Sequence, residues 1–180
     1  MRVIAGTARG HPLVAPRERG TRPITDRVKE TLFAILGDRI PDARALDLYA
    51  GSGAIGIEAL SRGAAHATFV EVARPAVAAI RTNLERTRLT EVASVHSIDV
   101  ARYLEGPSGG PFDLVFLDPP YDERAIVAPL RAVLPHLAAG ATVVVKHFWR
   151  TEVPGVAGLE LFRQRRFGET MLTFLEANSR

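Results

Sequence analysis

The chain has 180 residues, 47% of them hydrophobic, and a net charge of +3, which suits one globular domain with a real core and excludes a disordered polymer. It has no cysteine, which excludes a disulfide framework and a thiolate metal site. No apolar run approaches the roughly 18 residues of a membrane helix, and Met1–Gly6 lacks the apolar stretch of a signal peptide, so a soluble cytoplasmic protein is expected.

The first thirty residues carry most of the excess charge. Arg2, Arg9, Arg17, Arg19, Arg22, Arg27 and Lys29 face only Glu18, Asp26 and Glu30 there, and the remainder is close to neutral. Such an arm is the footprint of a polyanion partner, although a solvated basic tail has the same composition. Pro12, Pro16 and Pro23, with Gly6, Gly10 and Gly20, leave room for short strands near Arg2–Ile4 and for no long helix. Asp26 is expected as N-cap of a helix with Val28, Leu32, Phe33, Ile35 and Leu36 on one face, ended by Gly37.

From residue 45 strands and helices alternate. The pattern predicts strand Ala45–Tyr49, helix Ala54–Ser61 closed by Gly63, strand Ala67–Glu71, helix Pro75–Arg88, and strands Ala93–Ile98 and Phe112–Leu117. A helix Ile126–Leu137, closed near Gly140, and a strand Thr142–Val145 follow. Alternation of this kind implies right-handed βαβ units, hence an α/β, Rossmann-like fold: a mostly parallel sheet with helices on both faces. Leu159–Arg165 and Thr170–Leu175 flank the turn Phe167-Gly168-Glu169 and predict an antiparallel hairpin as the sixth and seventh strands.

Two motifs carry chemistry. Gly51-Ser52-Gly53-Ala54-Ile55-Gly56 lies between a strand and a helix, with Glu71 at the end of the next strand. Small residues let a ligand approach the backbone, and the acid can accept from ribose hydroxyls, which by itself suits a nicotinamide cofactor. Asp47 argues otherwise. A buried carboxylate beside a pyrophosphate is repulsive, whereas beside the ammonium of an amino acid it is favourable. S-adenosylmethionine has that ammonium, a ribose and no phosphate. Asp99, after the third strand, is placed either to accept from an adenine amine or to cap a helix.

The second motif, Asp118-Pro119-Pro120-Tyr121, ends the apolar strand Phe112–Leu117. The Asp118 carboxylate and the Pro119 carbonyl can accept from one exocyclic amine, and Tyr121 can stack on the base that carries it. A Pro-Pro turn closing a strand is the plain alternative.

Together these residues resemble the class I S-adenosylmethionine-dependent methyltransferases. Asp47-Leu48-Tyr49-Ala50-Gly51-Ser52-Gly53 is similar to their first motif, and Asp118–Tyr121 to the motif of those that methylate exocyclic amines. Thr21–Glu30 and Gly51–Gly63 resemble stretches of the bacterial 16S ribosomal RNA guanine-N2 methyltransferases, and the likeness covers nearly the whole chain. The resemblance implies S-adenosylmethionine as cofactor, held by Asp47, Tyr49, Ala50, Gly51, Ser52, Gly53, Glu71, Val72, Asp99 and Val100. It implies Asp118, Pro119, Pro120 and Tyr121 as the catalytic set, without a metal. It further implies residues 1–40 as an RNA-binding arm and helix, using Arg9, Arg22, Arg27 and Lys29, ahead of a methyltransferase domain at 41–180. The expected partner is 16S ribosomal RNA, within a small subunit or its assembly intermediate. Adenine or cytosine amines as targets, a non-catalytic RNA-binding protein and a nicotinamide oxidoreductase are the alternatives. The chain departs from the family in three places: His11-Pro12 replaces a basic residue, Ala73 an acid near Glu71, and Lys146-His147 an acid after the fifth strand.

Overall fold

The computed structural model describes residues 1–16, 24–107, 109–119 and 124–178. Strands β1 (Arg44–Leu48), β2 (His66–Glu71), β3 (Ala93–Ser97), β4 (Phe112–Leu117), β5 (Leu137–Phe148), β6 (Leu159–Phe167) and β7 (Thr170–Ala177) form one sheet in the order β3-β2-β1-β4-β5-β7-β6. The first five pair in parallel, and β7 joins β5 and β6 antiparallel. The sheet is therefore the expected one, parallel with an antiparallel close. Chain order runs outward from β1 through β2 to β3, then crosses to β4 on the other side of β1. The crevice at the C-terminal ends of β1 and β4 is the topological switch point, where open α/β sheets bind ligands.

Burial on both faces explains why the central strands read as continuous apolar runs. Ala45, Phe69, Leu114, Phe116 and Val144 pack against helices α1 (Asp26–Leu36), α2 (Ala54–Ser61) and α3 (Arg74–Thr87). Leu46, Leu48, Val115, Leu117, Val143 and Val145 pack against α4 (Val100–Glu105) and α5 (Arg124–Ala132). Among the described residues, no helix is long and apolar enough to cross a membrane.

The opening residues are docked on the first of these faces. Residues 1–13 turn back on themselves through the pairing of Arg2 with Pro12, and Val3, Ala8 and Leu13 are buried in the core that α1 and α2 share. Gly6, at φ +82°, crosses the end of α2 so closely that a Cβ there would stand 1.6 Å from the Ser61 carbonyl oxygen. Only glycine fits that crossing.

Three local expectations are corrected. Thr25, not Asp26, caps α1, its hydroxyl accepting from Val28 N–H at 3.4 Å; Asp26 opens the helix and pairs with Arg2 at 3.2 Å. The expected helix Ile126–Leu137 stops at Ala132, with a 3-10 turn at Leu134–His136, because Pro135 has no N–H to donate and disfavours helical backbone in the residue before it. Gly140 therefore closes no helix. It lies inside β5 at φ +70°, where the pairing with β4 shifts register.

Candidate active site

Strand alternation aims the site. Ala45 and Phe116 face α1, α2 and α3, so Asp47 and Asp118, two residues further along each strand, face that side at the switch point. Asp47 is 2% exposed, and its Oδ2 accepts from Gly56 N–H at 3.0 Å. Burial, the chief cause, pushes its carboxyl up to about 8, with Asp118 and Glu71 adding to the rise. The Gly56 bond alone pulls the other way among the described residues. Gly56 has to be glycine here, because a Cβ would meet the Phe69 ring at 2.3 Å.

The loop from β1 to α2 alternates in backbone sign. Tyr49, Gly51 and Gly53 have φ of 58°, 56° and 74°. Glycine adopts this region freely, whereas Tyr49 adopts it at a cost, which marks the turn as a constrained one. Glu71 holds the loop from the next strand, one carboxylate oxygen accepting from Gly51 N–H at 2.9 Å and the other from Ala73 N–H at 2.8 Å. Beside it the apolar side chain of Val72 is 63% exposed. Asp99 caps α4, accepting from Ala101 and Arg102 N–H, while Val100 is buried behind it. The expected cofactor residues thus gather at the C-terminal ends of β1, β2 and β3.

Asp118 and Pro119 stand beside them at the end of β4, whereas Pro120 and Tyr121 lie outside the described residues. The feature the sequence left unexplained is Lys146. It follows Val145, the register partner of Leu117, so it stands next to Asp118. Its ammonium donates to both carboxylate oxygens, at 2.8 and 2.6 Å. Burial pushes the Asp118 carboxyl up, and Lys146 pulls it part of the way back. The neighbouring His147 turns the other way, into the sheet, where it bonds Thr173 at 2.8 Å and burial lowers its titration.

Of the expected RNA contacts, Arg9 and Arg27 are exposed and Arg22 lies outside the described residues. Lys29 is corrected. Its side chain is 0% exposed and pairs at 3.1 Å with Glu58, itself 0% exposed, so it cannot reach a phosphate. The signal was in the spacing: Lys29 precedes Leu32, Phe33 and Leu36 by three, four and seven residues, the apolar face of α1. Glu58 also accepts from Arg62 Nε at 2.8 Å and from the N–H groups of Ile4 and Ala5, and Lys29 donates to the Arg2 carbonyl. This pair therefore fastens the opening residues to α1 and α2. A cationic rim appears instead where β5 ends. Arg166 and Arg150 lie 3.7 and 4.7 Å from the Trp149 ring centroid, and both are exposed.

Over residues 1–176 the chain matches the family described as "Conserved hypothetical protein 95". A Bacillus subtilis relative named "Putative rRNA methyltransferase YlbH" is 38% identical over 175 residues, 94% of this chain and 95% of its own length. The Escherichia coli protein named "Ribosomal RNA small subunit methyltransferase D" is 43% identical over 121 residues, which is 67% of this chain and 60% of that protein. A solved Escherichia coli structure, "Putative methyltransferase yhhF", superposes with a TM-score of 0.89 at 35% identity, over 100% of this chain and 99% of that one.

Proposed function

This chain belongs to the conserved hypothetical protein 95 family, and from that premise we propose that it moves a methyl group from S-adenosylmethionine to the exocyclic N2 of a guanine in 16S ribosomal RNA. The observation that carries the reading is the meeting of Asp47 and Asp118 on adjacent strands at the switch point, close enough for the Asp118 charge to help raise the Asp47 carboxyl. One acid is buried with no cation on it among the described residues and suits a ligand ammonium. The other ends a strand next to a proline carbonyl and suits an amine donor.

The bound cofactor supplies a methyl group on a positively charged sulfur. The chain does the rest. Asp47 receives the ammonium, Glu71 accepts from the ribose, and the Tyr49–Gly53 loop lets the ligand lie against the backbone. Guanine N2 is a poor nucleophile because its lone pair is delocalised into the ring. Hydrogen bonds to Asp118 and to the Pro119 carbonyl favour the pyramidal nitrogen and aim its lone pair, an orientation effect. Tyr121 is proposed to stack on the extruded base. Mass mapping of methylated nucleotides in 16S ribosomal RNA, from cells with and without the chain, tests the reading. An unchanged methylation pattern overturns it.

Two further results are expected. Burial lifts the titration of Asp47 to about 8 in the free protein, well above the ordinary aspartate range, so its protonated form is favoured near pH 7. The stability it contributes is present at low pH and is lost as pH rises through about 8. A ligand ammonium favours the ionised form, so binding of S-adenosylmethionine near pH 7 should release up to roughly one proton. Calorimetry in buffers of different protonation heat measures this, and Asp47→Asn should abolish the buffer dependence. For RNA, replacing Arg9, Arg22 and Arg27 by Ala should flatten the salt dependence of binding by roughly 0.7–0.9 log unit per lost phosphate contact. Lys29→Ala should lower stability instead of the slope. An unchanged slope for the triple variant returns the arm to an ordinary solvated surface.

A further inference from the structure

Lys146 departs from the acid that often follows the fifth strand in the resembling family, and it is the one cation seen on Asp118 among the described residues. Its ammonium spans both oxygens of that carboxylate, at 2.8 and 2.6 Å, the two acceptor positions through which an incoming amine would be held. Its side chain is 12% exposed, against 33% for Asp118, so the carboxylate stays reachable while the lysine is largely enclosed.

We propose that Lys146 is a resident stand-in for the substrate amine: it occupies the seat on Asp118, keeps that carboxylate ready to accept, and gives way when the target base arrives. This rests on the reading of Asp118 as the acceptor of the target amine. An amine and an ammonium both donate N–H, so exchange keeps the carboxylate oxygens hydrogen-bonded, although only the ammonium brings charge. The carboxylate is therefore not left bare in a partly enclosed site, where an unpaired charge is costly. A flexible four-carbon stem lets the ammonium swing aside without moving the strand. The neighbouring acid among the described residues is Asp47 on β1, whose own carboxyl is raised by Asp118 and by Glu71 on β2. Burial opposes ionisation of Asp118, and Lys146 is the charge that favours it. Lys146 is thus a positioning residue for Asp118.

Lys146→Met tests the proposal, with Lys146→Arg as the conservative control. The Asp118 carboxyl carbon is followed by NMR against pH in the full chain. Its midpoint should rise by roughly 1–3 units in Lys146→Met and stay near that of the intact chain in Lys146→Arg. The acid limb of the methylation rate should move upward with it, with activity returning at high pH and with S-adenosylmethionine affinity unaltered. A merely structural lysine would lower the rate at every pH alike. An unmoved carboxyl midpoint, or an acid limb that stays in place while the midpoint moves, overturns the proposal. The titration needs no substrate, so it holds or fails independently of whether the chain methylates ribosomal RNA. A chain that titrates as expected yet leaves 16S ribosomal RNA unmethylated overturns the amine seat together with the functional reading, and leaves Lys146 as a plain counter-ion.

Discussion

Asp118→Ala is expected to lower methyl transfer to 16S ribosomal RNA by about 10²–10³-fold, the usual cost of removing one preorganised hydrogen-bonding group from a reacting centre. Asp118 sits at the end of β4 beside Pro119, on the face of the sheet that Asp47 shares, but the groups assigned to the cofactor lie on β1, β2 and β3. Affinity for S-adenosylmethionine should therefore stay near that of the intact chain. Asp118→Asn is the sharper variant. It keeps the shape and one carbonyl acceptor but loses the charge, and should fall between the two. Single-turnover methylation and calorimetry on the same preparations separate the chemical step from binding. Near-normal turnover by Asp118→Ala would remove Asp118 from the mechanism.

The second large effect is on stability. Glu58→Ala should cost about 3–5 kcal/mol, because it leaves Lys29 as a buried charge without its carboxylate. Glu58 is 0% exposed and receives Lys29, Arg62 and the N–H groups of Ile4 and Ala5, so the loss also frees the opening residues from α2. Against a folded-state margin of about 5–15 kcal/mol, such a change should move the denaturant midpoint well outside error. Replacing both partners by apolar residues, Glu58→Leu with Lys29→Met, should cost less than either single loss, since no charge is then stranded. Equal costs for the single and double variants would mean that water reaches the pair.

The frame of the fold was legible because it is local. The expected bounds of α2 and β4 coincide with the observed ones, as periodicity and a flanking glycine or aspartate set each end. The expected cofactor residues gather for a related reason: each lies at or just past the C-terminal end of a parallel strand, and parallel strands end on one edge. What periodicity could not reveal were pairings across distance. Glu58 meets Ile4 and Ala5 more than fifty positions away, and Lys146 meets Asp118 at a separation of 28. Neither is visible until β4 and β5 are known to be neighbours and the opening residues are known to be docked. The family resemblance, with the charge of the arm, implies Lys29 as an RNA contact, whereas its place on the apolar face of α1 puts it inside. The expected helix after β4 runs past Pro135 because apolar residues continue beyond it into β5, and the proline ends the helix before them.

Lys29 and Lys146 are the only lysines in the chain, every other basic residue being arginine, and each is engaged by a carboxylate in the interior or at the site. Amine-reactive reagents therefore meet just two side chains, in two different circumstances. Acylation of Lys29 requires the opening residues to lift off α1, so its rate measures local detachment of that segment. Acylation of Lys146 requires only that it leave Asp118, so its rate measures occupancy of that carboxylate. A single labelling time course read by peptide mass spectrometry would follow both events at once, with no engineered probe.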